Sequence, residues 1–282
     1  ACSVDVRVGL CTCFLGGAMA CTQCGDPHCG AAGGEQAKDT AGGSIPLLSP
    51  FVGNTVLMCS SVQDWLLEHC NGYRGMHVTR PLTWGDVQHH VDRSVSSGVF
   101  GRSECLEEKA RLARCKGSAE QTAEEFSLRG RSLIEKLADS GLPESVLQQI
   151  QLDVEEVGAV VGKVVPAAEE VIIKLEVLGE NTCTRWHRDV YTCRAIITYN
   201  GAATQYVENE NVNFFELENG GQNERIIRDA SRIFSAHAAD VLFMKGSEFP
   251  SAVNGLVHKS PEKRYHANGA VMNRLCLKLD VV

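Results

Sequence analysis

Residues 171–177 read VIIKLEV and are followed by the turn sequence GEN at 179–181. Apolar side chains occupy every second position of this stretch, which is the period of a β-strand with one face against a core. Short segments of the same character, separated by turn residues, follow along the chain at 185–190, 191–199, 204–207, 240–244, 255–258 and 274–281. The C-terminal part of the chain therefore predicts a small antiparallel sandwich or barrel.

Before Glu169 the apolar residues follow a helical period instead. A stripe from Val56 to Leu67 predicts a first helix, and a segment rich in Glu, Lys, Arg and Leu over 103–115 predicts a second. A third is expected over 119–139, and Pro143 favours the start of a fourth. The predicted fold class is α+β, with a helical N-terminal half preceding the β domain.

Three regions are expected: an arm at 1–50 rich in Gly, Ala and Cys, a helical region at 51–165 and a β domain at 166–282. The arm has few large apolar residues, so we expect it to lack a core of its own. Contacts with the barrel, a metal or a partner chain would hold it. Its Cys21, Cys24, His28 and Cys29 fit a zinc or redox site, or a low-complexity segment whose cysteines have no specific role.

The 282 residues are 44% hydrophobic and 22% charged, which is ordinary for a globular protein. With a formal charge of −8, the chain lacks the excess of basic residues that is typical of a non-specific nucleic-acid binder. The sequence contains no apolar run of about 18 residues, so it predicts no transmembrane helix. Of the 13 cysteines, those beyond residue 29 are scattered at no framework spacing, and no secretory signal pattern opens the chain. We expect an intracellular, reducing compartment, with cytoplasm and organelle interior both open.

His187 and Asp189 alternate along an extended segment, so their side chains face the same way. His258 ends a short predicted strand, and Arg274 opens the last one. Two imidazoles and one carboxylate on one face make the facial triad of non-haem Fe(II) sites, and also suit zinc. Arg274 is suited to hold a carboxylate through two hydrogen bonds. The alternative is that both histidines are satisfied structural residues and Asp189 caps a turn.

Over residues 170–282 the sequence resembles the AlkB-like branch of the 2-oxoglutarate- and Fe(II)-dependent dioxygenases, and more closely an uncharacterised bacterial and algal family beside it. The segments that carry the resemblance are RWHRD at 185–189, CRAIITYNG at 193–201, ATQY at 203–206, DVLFMKG at 240–246, VHKSP at 257–261 and RLCLKLD at 274–280. The resemblance implies a C-terminal antiparallel double-stranded β-helix.

It also implies that His187, Asp189 and His258 bind Fe(II), and that Arg274 holds the distal carboxylate of 2-oxoglutarate. Two positions depart from the AlkB pattern: Asp280 stands where that branch has a second arginine, and Lys174 opens the segment KLE that replaces its Asn-x-Tyr pair. Lys174 is a further residue suited to contact a carboxylate. The function implied is an oxygenase of unknown substrate; a zinc-binding barrel and a non-catalytic subunit of a larger assembly remain alternatives.

Overall fold

The computed structural model describes residues 2–4, 11–13, 55–112, 118–250 and 255–282. Contacts divide the chain into Ala1–Val52 and Gly53–Val282. In the first unit, β1 (Cys2–Val4) pairs antiparallel with β2 (Cys11–Cys13). The rest of the predicted arm, including Cys21, Cys24, His28 and Cys29, lies outside the described residues. The three predicted regions and the cysteine site therefore stay predictions.

The described part of Gly53–Val282 mixes helices and strands. Its strands are β3 (Val56–Cys59), β4 (Gly75–Val78), β5 (Cys105–Arg111), β6 (Glu170–Leu178), β7 (Cys193–Thr198), β8 (Gln205–Val207), β9 (Ile233–Ser235), β10 (Val241–Lys245), β11 (His258–Lys259) and β12 (Arg274–Val281). Its α-helices are α1 (Gln88–Ser96), α2 (Ala119–Lys136), α3 (Glu144–Val164), α4 (Phe214–Glu218) and α5 (Asn223–Ile226).

The strands form two sheets. The larger has the order β3-β4-β10-β7-β12-β6-β5, and the smaller has the order β11-β8-β9. All pairs are antiparallel except β3 with β4. From β6 onward the chain passes repeatedly between the sheets: β7, β10 and β12 join the large sheet, while β8, β9 and β11 form the small one. The fold is α+β with a large, mainly antiparallel sheet.

One face of the large sheet carries the main core. In β12 the apolar residues Leu275, Leu277, Leu279 and Val281 are buried in the same cluster as the inward residues of α2 and α3. The intervening positions of β12 are Arg274, Cys276, Lys278 and Asp280, which face the opposite side because side chains alternate along a strand. The large sheet therefore has an apolar face under the helices, and its other face carries the polar residues of β12 beside apolar residues such as Ile196 and Leu242.

Two predicted helices are absent. The stripe from Val56 to Leu67 is β3 followed by a 3₁₀ turn at Val62–Leu66. The segment predicted over 103–115 is β5, described up to residue 112, which pairs with β6 at the edge of the sheet. Its Glu, Lys and Arg favour a helix by intrinsic propensity, but charged residues are also common on edge strands, where they discourage further pairing. The helical interpretation of these two segments is wrong.

Most of the other predicted elements are present. Helices α2 and α3 lie where the period predicted them, and Pro143 occupies the N-cap of α3. The predicted strands at 171–177, 191–199, 204–207, 240–244 and 274–281 correspond to β6, β7, β8, β10 and β12. The strand predicted at 255–258 overlaps the short β11 only at His258. The strand predicted at 185–190 is reduced to one bridge, between His187 and His258.

Candidate metal centre

The triad predicted from the sequence is brought together by backbone pairing at the edge of the small sheet. His187 and His258 exchange two backbone hydrogen bonds of 3.0 Å each, so their side chains lie side by side. Asp189 follows two residues after His187. One nitrogen or oxygen from each of the three side chains lies within 4.8 Å of the others. Among the described residues this is the one such group of three potential metal ligands.

Both imidazoles turn the same nitrogen towards Asp189. His187 Nδ1 lies 2.8 Å from the carbonyl oxygen of Arg185, and His258 Nδ1 lies 3.0 Å from that of Leu256. Because a carbonyl only accepts, each Nδ1 carries the hydrogen, and each neutral ring keeps a lone pair on Nε2. A histidine that donates its second N–H in this way is the usual form of a metal ligand.

The gaps between these atoms suit an ion better than a direct contact. His187 Nε2 is 3.6 Å from Asp189 Oδ1, and His258 Nε2 is 3.6 Å from Asp189 Oδ2. These distances are too long for hydrogen bonds. Two atoms that each lie about 2.1 Å from a shared ion are about 3 to 4 Å apart. His258 is buried, whereas His187 is 26% exposed, so the group is open on the His187 side.

Arg194 supplies the charge that opposes Asp189. Its Nη1 donates to Asp189 Oδ2 at 2.8 Å, and its Nε and Nη2 donate to the two carboxylate oxygens of Asp280 at 2.6 and 3.0 Å. The ring of Tyr191 covers the guanidinium, with its centre 4.8 Å from Cζ. One arginine thus joins the triad to the end of β12.

The protonation states follow from these neighbours. Burial alone would raise the pKa of Asp189, but Arg194 and then His258 lower it far below its usual range. Burial lowers the pKa of His258 to about 4, although Asp189 opposes that shift. At neutral pH the site therefore holds a carboxylate beside a neutral imidazole, which is the form in which both bind a metal.

The segment that carries Asp189 is fixed by an unusually close backbone approach. A Cβ atom at Gly246 would lie 1.6 Å from the carbonyl oxygen of Tyr191, so only glycine fits there. Gly246 N donates to Thr192 O, and Ser247 N donates to Asp189 O, both at 2.9 Å. The loop after β10 therefore holds the Asp189 backbone in place.

The two cations predicted for a carboxylate clamp lie in different places. Arg274 opens β12, six residues before Asp280, which is about 20 Å of extended chain. Its Nη1 donates to Ala202 O at 3.2 Å, and its buried Nη2 has no hydrogen-bond partner in the described residues. Lys174 Nζ lies 3.9 Å from Asp280, on the side of the triad.

Sequence reasoning missed the charged residues between these two ends. Lys278 on β12 pairs with Glu176 on β6, and both are largely buried on the face of the large sheet away from the helices. Burial alone would raise the pKa of Glu176, but Lys278 keeps it below its ordinary value. The sequence signal for these residues is the strand RLCLKLDV at 274–281, which alternates polar with aliphatic residues. Both faces of this strand are buried, so its polar residues lie in the interior.

Comparison with known proteins identifies the family. The model of the family described as "Protein of unknown function (DUF1826)" matches residues 88–280. The chain belongs to this family. No curated protein matches this chain.

Several solved structures are similar to this member of the family at low identity. The dioxygenase for auxin oxidation 1 from Arabidopsis thaliana, in its 2-oxoglutarate complex, is 8% identical, with 82% of this chain and 92% of that chain covered and a TM-score of 0.41. A full-length protein from Neurospora crassa in complex with α-ketoglutarate is 9% identical over 82% and 86%, with a TM-score of 0.38. The Fe(II)/α-ketoglutarate-dependent dioxygenase TqaL is 12% identical over 78% and 85%, with a TM-score of 0.39.

No helix among the described residues has both the length and the apolar character that crossing a membrane requires.

Proposed function

We propose that this protein is an Fe(II)- and 2-oxoglutarate-dependent oxygenase built on a double-stranded β-helix. The observation that carries the proposal is the convergence of His187, Asp189 and His258 on one point beside an opening. The passage of the chain between two facing sheets from β6 to β12 supports the fold assignment, because that alternation builds a double-stranded β-helix.

The residues present fit a divalent iron. Two neutral Nε2 atoms and one carboxylate make the donor set of a facial triad, which leaves the other positions of the ion for small molecules. When bound there, Fe(II) together with 2-oxoglutarate supplies the activation of dioxygen. The same donors accept zinc, so the ion itself has to be measured.

The residues also offer a place for a dicarboxylate. Arg274 is 8% exposed, and its Nη2 has no partner among the described residues, although a buried guanidinium N–H normally has one. It lines a small cavity with Gln88, Thr182, Gly201 and Lys263. We propose that this N–H receives the distal carboxylate of 2-oxoglutarate. The Lys278–Glu176 pair lies on β12 and β6 between Arg274 and Asp280.

The other side chains of the site have defined tasks in this scheme. Arg194 orients the Asp189 carboxylate through Oδ2, and it balances the charge of Asp280. The carbonyl oxygens of Arg185 and Leu256 fix the tautomer of the two histidines. Tyr206 is the strand partner of His258, and it lies in a buried apolar cluster with Val56, Ile196, Leu242, Met244 and Leu256, which keeps water out on that side.

Binding and turnover of 2-oxoglutarate test the proposal. Protein loaded with Fe(II) without oxygen is titrated with 2-oxoglutarate, and succinate is then measured after air is admitted. Arg274→Ala is expected to retain iron but to bind 2-oxoglutarate at least about tenfold more weakly, because a charged hydrogen bond is lost. Arg232→Ala, an exposed residue paired with Glu210, is the matched control.

The alternatives give different results in this experiment. Tight zinc binding with no effect of 2-oxoglutarate would favour a zinc-binding barrel. Absence of any metal binding would leave a non-catalytic subunit of an assembly. For the cell, we propose a reducing compartment, since the six cysteines of residues 55–112, 118–250 and 255–282 are free thiols.

A further inference from the structure

A second group of buried polar side chains lies close to the triad. The Tyr206 hydroxyl lies 3.1 Å from His77 Nδ1, and His77 Nε2 lies 2.9 Å from Asp240 Oδ2. All three residues are buried, with 2 to 4% of their surface exposed. They come from β8, β4 and the residue before β10, so the group joins the small sheet to the large one.

The hydrogen bonds of this group run in one direction. Asp240 is an ionised acceptor, because burial, which would raise its pKa, is outweighed by bonds from His237, His77 and Arg80 that lower it. His77 Nε2 must therefore donate to Asp240. In the neutral ring Nδ1 then has only a lone pair, so the Tyr206 hydroxyl donates to it. Burial raises the pKa of Tyr206; Glu208 is the other carboxylate that raises it, and it accepts the backbone N–H of Thr55.

The inner end of the group faces the interior of the barrel beside the triad. Tyr206 is the direct partner of His258 in the pairing of β8 with β11. Directly paired residues project from the same face of a sheet, so the Tyr206 side chain stands next to the imidazole of His258. Around Tyr206 the lining is apolar. The phenol is therefore the polar group that this wall presents beside the site.

The outer end reaches the surface. The backbone N–H of His237 donates to Asp240 Oδ2 at 2.7 Å, and His237 Nδ1 lies 3.3 Å from the same oxygen. The side chain of His237 is 81% exposed. An unbroken series of oxygen and nitrogen atoms, each within 3.3 Å of the next, thus runs from the Tyr206 oxygen to solvent.

We propose that Tyr206, His77, Asp240 and His237 form a proton-transfer chain between the barrel interior beside His258 and the surface. The Tyr206 oxygen takes a proton from an acidic group bound in the barrel as its own hydrogen passes to His77 Nδ1. His77 Nε2 gives its hydrogen to Asp240, which passes it to His237 Nδ1, and the exposed His237 ring releases a proton to water. One proton crosses, only O–H and N–H bonds change, and no electrons are transferred; the same transfers in reverse restore the starting arrangement.

Hydrogen exchange of the His77 ring tests this without any metal or substrate. The exchange rate of His77 Nε2–H is measured by NMR on histidine- and tryptophan-labelled protein. Trp84 Nε1–H serves as the internal reference, because it is 4% exposed and donates to Tyr199 O at 2.8 Å. If the proton-transfer chain exists, the His77 proton should exchange at least about tenfold faster than the Trp84 proton, because exchange along the chain needs no opening of the fold.

His237→Asn removes the exposed ring but keeps the backbone donor, and it is expected to slow His77 exchange by about tenfold while Trp84 is unchanged. His89→Asn, at another exposed histidine, is the matched control and is expected to change neither rate. A His77 proton that exchanges at the Trp84 rate, and equally in His237→Asn, would overturn the proposal.

Use of the chain in catalysis rests on the proposed function and is tested separately. Tyr206→Phe is expected to retain iron and to lower succinate formation by about 100-fold, the usual contribution of a proton-transfer residue. Tyr199→Phe, which loses a buried hydroxyl bonded to Asp153, is the control for stability and is expected to keep normal turnover. Normal turnover in Tyr206→Phe would show that the reaction does not use the chain. A wild type that binds no iron would instead refute the proposed function. The exchange rates would still show whether the proton-transfer chain exists.

Discussion

Arg194 neutralises two buried carboxylates at once, and its replacement tests how far the site depends on it. Arg194→Met keeps much of the side-chain volume but leaves Asp189 and Asp280 without a cation. We expect the free energy of unfolding to fall by about 3–5 kcal/mol, because removing one partner strands buried charge. Urea denaturation at neutral pH measures the change.

Two further variants make this result specific. Adding Asp280→Asn to Arg194→Met removes one of the stranded charges, and we expect it to restore part of the loss. Arg129→Met is the control, since that arginine pairs with Glu108 and Glu125 on a more exposed surface and should cost only about 1 kcal/mol or less. A loss in Arg194→Met as small as in the control would contradict the role given to Arg194.

Lys245 is a buried ammonium that no described carboxylate pairs with. Its Nζ donates to the carbonyl oxygens of Cys70 and Asn71 and lies over the ring of Phe249. Burial lowers its pKa to about 8. In the unfolded chain the pKa of a lysine is about 10.4. Between these values the unfolded state binds more protons than the folded state, so stability rises with pH.

Lys245→Met is therefore expected to be more stable than the wild type at pH 7 and to lose the part of the pH dependence that lies between about 8 and 10.4. Urea denaturation at pH 7 and pH 9.5 measures both effects, with the exposed Lys109→Met as control. Equal differences between the two pH values in Lys245→Met and the wild type would refute the assignment of that rise to Lys245.

At the scale of elements, the contact of α2 with α3 depends on one glycine. A Cβ atom at Gly158 would lie 2.3 Å from Cδ1 of the Phe126 ring, whereas at Gly162, one turn later, the nearest atom is 3.3 Å away at the tip of Leu112. Gly158→Ala is expected to destabilise the protein by about 1–3 kcal/mol through overpacking. Gly162→Ala should be neutral or slightly stabilising, because alanine favours the helix. Thermal unfolding of the two variants compares them directly, and equal melting temperatures would show that the helices separate without cost.

Which elements could be predicted from the sequence depended on where each one packs. Helices α2 and α3 bury one stripe against the sheet, and β6 and β12 place aliphatic residues at every second position on the face under the helices, so their periods are visible in the sequence. Strand β5 lies at an edge and is stabilised by pairing with β6, which no local pattern reveals. Likewise, the 3₁₀ turn after β3 places Trp65 in the core while Leu66 and Leu67 stay half-exposed, and this defeats a helical interpretation of the same apolar residues.

Across the molecule, helices and large sheet share one apolar cluster. It contains residues of α1, α2 and α3 as well as β4, β6, β7, β10 and β12, and both Trp65 and Trp84 belong to it. We expect Gly53–Val282 to lose its helices and its tryptophan environment in one cooperative transition. Far-UV circular dichroism and tryptophan fluorescence should give the same midpoint in urea. Two separated midpoints would mean that the helices and the sheet unfold independently.

The candidate site was predictable only in part. His187 and Asp189 are neighbours in sequence, and His258 ends a segment whose pattern is that of a strand, so the set could be proposed from spacing alone. The strand position of Arg194 also puts a cation beside the triad, but its bridging of Asp189 and Asp280 follows only from the register that places Arg194 opposite Asp280. The chain from Tyr206 to His237 also depends on contacts between residues far apart in sequence, and no motif marks it.

The metal content of the purified protein tests the central claim most directly. Wild type, His187→Ala, His258→Ala and His266→Ala are each incubated with Fe(II) without oxygen, dialysed and analysed for bound metal. His266 pairs with Asp92 away from the triad and is the matched control. We predict one iron per chain in the wild type and in His266→Ala, and little in the two triad variants, because two ligands hold a divalent ion poorly. A wild type that retains no metal, or a His187→Ala protein that retains as much as His266→Ala, would contradict the account.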